Sequence, residues 1–184
     1  MNKVYGFMVL VAMVFWVGLV SEAVPSDASL TDQQKKEVVY KMYDDYKRDF
    51  PGVREISPKK AMKEMANGKI VFVDTRKPSE MAVSMLPGAI SQAEFLKDPR
   101  KYGDKRIVAY CTISYRSGIF AREMAEKGIE IYNLRGGLLA WVLEGGKVYD
   151  AKGETKRINV YGKEWDYPPE GYESVYLGFF EKHF

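Results

Sequence analysis

The sequence predicts an α/β domain with a mainly parallel central sheet and helices on both faces of that sheet. Two continuous apolar runs, at residues 70–73 and 107–110, are typical of strands that are buried on both sides. Segments with helix signals alternate with these runs at short intervals, as they do in β-α-β units. Ligand sites in such sheets lie outside the carboxyl ends of the strands, so residues that follow a strand are candidates for function.

Helix-capping residues and turn residues set the predicted boundaries. Thr31 and Gln34 form a capping box, and Ser57 supplies an N-cap that is followed by proline at the first helical position. Glycines such as Gly68 and Gly128 end the helical patterns. In chain order we predict a helix from 31 to about 48, a strand at 53–56, a helix at 58–65, a strand at 70–73, a short helix from 78, a short strand near 90, a weakly helical stretch at 91–103, a strand at 107–110, a helix at 117–126, a strand at 129–132 and a helix at 138–143.

The N-terminus has the pattern of an export signal. Lys3 precedes an uncharged segment from Val4 to Val20, and small residues at Ser21 and Ala23 fit a cleavage site. We expect residues 1–23 to be a signal peptide and the protein to be periplasmic or secreted. The segment is at the short end for a membrane-spanning helix, and an uncleaved anchor is the alternative.

The rest of the chain is expected to form one domain with two extensions. Residues 24–30 are predicted to be a linker, 31–52 an N-terminal helical extension and 53–146 the domain itself. Residues 147–184 are rich in aromatic side chains, and we expect this C-terminal extension to pack on the domain. The alternative is that it forms a lid or a binding surface.

Composition excludes several classes of chemistry. The chain has one cysteine and one histidine, so it forms no internal disulfide and no multi-cysteine metal site. The histidine, His183, is next to the last residue, which argues against Cys-His and Ser-His-Asp mechanisms. The net charge is +3 without dense basic clusters, which argues against nucleic-acid binding. No cofactor or metal is expected.

The one cysteine, Cys111, lies where the strand at 107–110 ends and a short loop leads into the next helix. Backbone N–H groups without partners and the helix dipole stabilise a thiolate at such a position, and the thiolate is the reactive form. The alternative is a cysteine that only fills space in the core. We favour the reactive cysteine because a strand end that enters a helix is well placed for exposure.

Four signals in this order resemble a single-domain rhodanese, a family of sulfurtransferases. They are Asp74-Thr75-Arg76 with Glu80, then Pro87-Gly88-Ala89-Ile90, then residues 111–117, and then Leu134-Arg135-Gly136-Gly137 followed by Trp141. The resemblance covers residues 53–146 and implies a rhodanese-like fold. Two positions depart from the family pattern, since Ser114 replaces the usual loop glycine and Met85 replaces a common histidine.

The resemblance implies a persulfide mechanism at Cys111 and assigns the surrounding loop to substrate binding. Asp74 and Arg76 are expected to be supporting residues that pair with neighbouring loops. The loop residues expected to bind substrate are Thr112, Ile113, Ser114, Tyr115, Arg116 and Ser117. The partners implied are a small sulfur-containing donor, such as thiosulfate, polysulfide or a persulfide, and a small-molecule or protein acceptor. Membrane contact is expected only if the N-terminal segment is retained.

Two other functions remain as alternatives at this point. One is a persulfide carrier or interaction module with little turnover of its own. The other is a phosphatase or an arsenate reductase, whose active loops on the related fold are longer by one residue. Four residues separate Cys111 from Arg116, and one more residue would add about 3.5 Å of chain. The shorter loop therefore favours sulfur over a tetrahedral oxyanion.

Overall fold

The computed structural model describes residues 30–178, so the predicted signal at 1–23 and His183 lie outside the described residues. The helices are α1 (Asp32–Tyr46), α2 (Pro58–Ala66), α3 (Pro78–Val83), α4 (Gln92–Phe95), α5 (Tyr115–Ala125) and α6 (Gly137–Leu143). The strands are β1 (Glu55–Ile56), β2 (Ile70–Asp74), β3 (Ile90–Ser91), β4 (Arg106–Tyr110), β5 (Tyr132–Leu134), β6 (Val148–Asp150), β7 (Gly153–Thr155), β8 (Arg157–Asn159) and β9 (Glu173–Val175).

The first five strands form one parallel sheet in the order β1-β5-β4-β2-β3. The central pair, β2 and β4, is in register from Ile70 opposite Arg106 to Asp74 opposite Tyr110. The predicted α/β class with a mainly parallel sheet is therefore confirmed. Because β4 lies at the centre of the sheet, Cys111 emerges in the middle of the carboxyl edge, between the ends of β2 and β5.

Helices cover both faces of the sheet, and the alternation of side chains along the strands divides the core accordingly. Phe72 and Val108 point to a face that packs with α1, α2 and α6. Val73 and Ala109 point to the opposite face, which packs with α4 and α5. Side chains of successive strand residues point to opposite faces, so each of the apolar runs supplies both halves of the core.

The strand predicted at 129–132 is displaced, and that prediction is wrong by about three residues. Gly128 has a φ of 76°, and the N–H of Ile129 donates to Met124 O at 3.0 Å. These features close the C-terminus of α5, so the apolar residues after Gly128 serve first as a helix cap. Pairing with β4 begins only at Tyr132.

The C-terminal extension packs against the domain and against α1. Ile158 and Val160 are fully buried in the same core as α6. The backbone of Met85 bridges to Tyr149 through N–H···O bonds of 2.8 and 2.9 Å. The ammonium of Lys35 donates to Pro168 O at 2.8 Å. In residues 30–178 no helix has the length and apolar character needed to cross a membrane.

Candidate active site

Cys111 follows β4 directly and begins the loop that leads into α5. Its side chain is 2% exposed, yet it lines a pocket at the carboxyl edge of the sheet. The backbone N–H of Ser114 donates to its Sγ at 3.1 Å. This hydrogen bond and the N-terminus of α5 both stabilise negative charge on the sulfur.

Ser114 keeps the backbone conformation of a glycine. Its φ of 69° is the only positive φ of a non-glycine residue among residues 30–178. A left-handed conformation costs a residue with a side chain about 1–2 kcal/mol. The hydroxyl of Ser114 donates to Leu134 O at 2.5 Å, and this bond offsets part of that cost. The substitution noted in the sequence therefore preserves the shape of the loop and adds an anchor to β5.

The N-terminus of α6 holds the first half of the loop. The N–H groups of Leu138 and Leu139 donate to Cys111 O at 3.0 Å and to Thr112 O at 3.1 Å. Gly137 lies so close that a Cβ atom there would be 2.5 Å from Cys111 O. Gly137 therefore allows a close approach between two loops, which fixes the backbone on either side of Cys111.

A buried network supports the second half of the loop. The hydroxyl of Ser117 donates to Asn133 Oδ1 at 2.7 Å, and Asn133 Nδ2 donates to Ser114 O at 2.9 Å. Each of these three residues is fully buried. The hydroxyls of Ser114 and Ser117 therefore support the loop and do not line the pocket, so only their backbone groups are available to a substrate.

Arg116 is held by Glu80, which is 3% exposed at the start of α3. The two guanidinium NH2 groups donate to the Glu80 carboxylate at 2.7 and 2.8 Å, and the Lys77 N–H adds a bond of 2.9 Å. Burial opposes the charge of both side chains, but pairing prevails, so the pKa of Glu80 lies below its ordinary value. Burial lowers the pKa of Arg116, but its hydrogen bonds to Glu80 and its proximity to Cys111 outweigh burial and raise that pKa above the ordinary value.

Asp74 and Arg76 pair with each other away from the pocket. The Arg76 Nε and one NH2 group donate to the Asp74 carboxylate at 2.9 and 2.7 Å, and that NH2 group also donates to Ser84 O. Both side chains are completely buried. Burial disfavours the charged guanidinium, but the neighbouring carboxylate raises the pKa of Arg76. The pair joins the end of β2 to the segment after α3, and it does not contact Cys111.

The pocket above Cys111 has a volume of about 350 Å³, and the C-terminal extension provides one of its walls. Tyr161 and Trp165 come from that extension and lie edge to face, with ring centroids 5.5 Å apart. The extension therefore packs on the domain, as expected, and also contributes to the lining of the pocket. The residues that line the pocket are Lys77, Cys111, Thr112, Ile113, Tyr115, Arg116, Tyr161 and Trp165.

The structure brings together only part of the predicted site. Thr112, Ile113, Tyr115 and Arg116 line the same pocket as Cys111, and the buried hydroxyl of Thr112 has no hydrogen-bond partner among residues 30–178. The sequence analysis missed the partners that come from outside the loop. One of them, Glu80, stands within the first of the four family signals, but its pairing with Arg116 and the contacts of the others leave no local signal in the sequence. These partners are Lys77, Glu80, Asn133, Tyr161 and Trp165.

The arrangement suits a thiolate nucleophile in a half-enclosed, largely apolar pocket. The sulfur has a backbone N–H donor, a charged neighbour in Arg116 and space above it for a small substrate. The histidine lies outside residues 30–178, and within these residues no group of three or more His, Cys, Asp or Glu side chains is placed to hold a metal ion. Among residues 30–178, the groups placed to stabilise a thiolate at Cys111 are therefore the N–H groups of the loop and Arg116.

Known proteins are similar to the part of the chain that contains the loop. The family model of the rhodanese-like domain matches residues 57–144. A sulfurtransferase from Allochromatium vinosum is 31% identical over 98 residues, which are 50% of this chain and 92% of that protein. A tRNA sulfurtransferase from Desulfurococcus amylolyticus is 42% identical over 73 residues, which are 39% of this chain but only 14% of that protein.

The solved structures that resemble this one include a thiosulfate sulfurtransferase from Pseudomonas aeruginosa. It is 20% identical, with a TM-score of 0.49, and the match covers 71% of this chain and 26% of that one. The similarity to the Allochromatium protein extends over almost the whole of that relative. The match to the family model includes Cys111, Glu80 and Gly137. The chain belongs to the rhodanese-like family.

Proposed function

We propose that the protein is a sulfurtransferase that carries a sulfane sulfur on Cys111. The observation that carries this proposal is the contact between Cys111 Sγ and the Ser114 N–H, at the base of a pocket large enough for a small donor. The sulfurtransferase names of relatives support the same class of enzyme. The donor, the acceptor and the persulfide intermediate are parts of the proposal.

The proposed reaction has two half-reactions. The Cys111 thiolate attacks the sulfane sulfur of a donor, the S–S bond of the donor breaks, and its electron pair leaves with the other fragment. This fragment is sulfite if the donor is thiosulfate, and a thiolate if the donor is a persulfide. An acceptor nucleophile then attacks the outer sulfur of the Cys111 persulfide and regenerates the thiolate.

The loop supplies what both half-reactions need. Negative charge moves from the sulfur of Cys111 to the outer sulfur of the persulfide and then returns. The fixed N–H of Ser114 stabilises the inner sulfur, and Arg116 stays charged beside it because Glu80 holds it in place. The hydroxyl of Thr112 has no hydrogen-bond partner among residues 30–178, and we expect it to donate to the outer sulfur. Fixed donors that need no rearrangement favour transfer over release into water.

Steady-state turnover separates this proposal from its alternatives. The purified protein is given thiosulfate or glutathione persulfide, with cyanide as the acceptor, and thiocyanate is measured. We expect continuous thiocyanate formation that is lost in Cys111→Ser. A single stoichiometric release without further turnover would identify a carrier. Hydrolysis of an aryl phosphate, without any sulfur transfer, would point to the oxyanion chemistry that the short loop disfavours.

The place of action is also a proposal, and it rests on the residues before the described part of the chain. Lys3, the uncharged segment at 4–20 and the small residues at Ser21 and Ala23 support export, with cleavage after residue 23 or retention as a membrane anchor. The N-terminus of the protein recovered from each cell fraction tests this directly. A mature chain that begins at residue 24 in an extracytoplasmic fraction is the expected result, and full-length protein in the cytosol would contradict it.

A further inference from the structure

The wall of the pocket opposite the active loop is aromatic and is fixed in position. The indole N–H of Trp165 donates to the hydroxyl of Tyr46 on α1 at 3.1 Å. The ring of Tyr161 packs against the edge of Trp165, and the guanidinium of Arg116 lies 5.5 Å from the centre of that ring. Helix α1 and the C-terminal extension therefore together hold apolar side chains above Cys111.

The apolar surface continues beyond the sulfur. A second cavity of about 210 Å³ lies beside the first and is lined by Tyr46, Ile113, Tyr115 and Trp165. Three of these side chains also line the pocket of Cys111. The ring centroids of Tyr46 and Tyr115 are 5.4 Å apart, edge to face. Because the two cavities share three side chains, apolar surface extends away from the thiol, and a sulfur donor without an apolar body would leave this surface uncovered.

The pocket offers a bound donor little net positive charge. The Glu80 carboxylate engages the Arg116 guanidinium through two hydrogen bonds, so this pair contributes little net charge. Lys77 is the other cation that lines the pocket, and its ammonium forms no ion pair with the acidic groups of residues 30–178. One ammonium beside an apolar wall complements a single negative charge better than it complements a dianion such as thiosulfate.

We propose that the donor is an organic sulfane-sulfur compound with an apolar or aromatic body and a single negative charge. This inference rests on the proposed function, because it assigns the substrate class of the same site. With an aryl thiosulfonate, the Cys111 thiolate attacks the terminal sulfur and forms the new S–S bond. The bond from that sulfur to the sulfonyl sulfur breaks, the aryl sulfinate leaves with the electron pair, and one sulfur remains on Cys111.

The experiment measures how fast full-length protein gains one sulfur, by intact mass, with three donors. Benzenethiosulfonate and methanethiosulfonate have the same head group and charge and differ in the apolar body, and thiosulfate has no apolar body. Each rate constant is divided by the rate constant of the same donor with a small thiol in solution, which removes differences in intrinsic reactivity. We expect the aryl donor to exceed the methyl donor by at least about tenfold, as for a filled apolar pocket, with thiosulfate slowest.

Variants of the aromatic wall test the assignment. Trp165→Ala and Tyr161→Ala should each bring the aryl-to-methyl ratio close to one, and Trp165→Phe should keep much of the preference. Tyr149→Ala is the matched control for Tyr161→Ala, because Tyr149 belongs to the same extension, is as exposed as Tyr161 and does not line the pocket. Equal loading by all three donors would overturn this inference and leave the proposed function intact. No loading by any donor would overturn the proposed function itself.

Discussion

Replacement of Gly137 by alanine should disrupt the active loop without touching any group that contacts a substrate. The added Cβ would lie 2.5 Å from Cys111 O and 2.7 Å from Thr112 O, where ordinary contact begins at 3.4 Å. The atoms are backbone atoms, so the two loops must separate by close to 1 Å. That movement breaks the bonds that Leu138 and Leu139 donate to those carbonyl oxygens, each worth about 1 kcal/mol. An alanine in the left-handed conformation of this position, with a φ of 62°, costs ~1 kcal/mol more. Together with the two lost hydrogen bonds, this cost should lower the free energy of unfolding by ~3 kcal/mol.

A glycine just beyond the C-terminus of the same helix provides the control. Gly145 follows α6, has a φ of 87° and has open space where its Cβ would lie. Gly145→Ala should therefore cost only the backbone term, about 1 kcal/mol. Urea unfolding of the two variants measures the difference, and the rate at which Cys111 gains sulfur measures the effect on the loop. Gly137→Ala should slow sulfur loading strongly, and Gly145→Ala should leave it unchanged. Equal stability and equal loading in the two variants would refute the role assigned to the close approach.

Three further predictions concern the loop and its supports. Thr112→Val removes a buried hydroxyl without a partner, so the unfolding free energy should stay the same or rise, while sulfur loading falls about tenfold; a stability loss with normal loading would contradict this. Ser114→Gly should be more stable to urea than Ser114→Ala by about 1 kcal/mol, because only glycine relieves the φ of 69°; the reverse order would argue against strain at this position. The pKa of Glu80 is lower in the folded protein than in the unfolded chain. The charge of Glu80 therefore stabilises the fold fully above the ordinary pKa of 4.5, and this stabilisation is lost as the pH falls below that value. The gap in unfolding free energy between wild type and Glu80→Gln should therefore stay constant from pH 7 to about pH 5 and narrow as the pH falls below 4.5. A gap that stays constant at still lower pH would show that the charge of Glu80 contributes nothing.

The framework was predictable because apolar runs and capping residues act locally. The strands at β2 and β4 are buried on both faces, so their sequences are apolar throughout, and the capping box at Thr31 is present as predicted. The position of β5 was not predictable from hydrophobicity, because Ile129, the first apolar residue after Gly128, is used to close α5. A helix cap and a strand start compete for the same residues there, and hydrogen bonding to Met124 decides the outcome.

The site was only partly predictable, because its remaining parts come from distant segments. A loop that begins with Cys111 could be recognised within a few residues of sequence. Glu80, the partner of Arg116, lies 36 residues earlier in the chain. The aromatic wall comes from the C-terminal extension, where buried and exposed residues do not alternate with the period of a helix or a strand. Exposure of Tyr161 and burial of Ile158 depend on how the extension crosses the domain. Tertiary contacts of this kind leave no local signal.

The central claim is that Cys111 carries one sulfur, and intact mass after incubation with a sulfane-sulfur donor tests it most directly. Wild-type protein should gain the mass of a single sulfur atom and lose it again when cyanide is added. Cys111→Ser should gain nothing under the same conditions. An unchanged mass of the wild-type protein with every donor, or an equal gain in Cys111→Ser, would contradict the account.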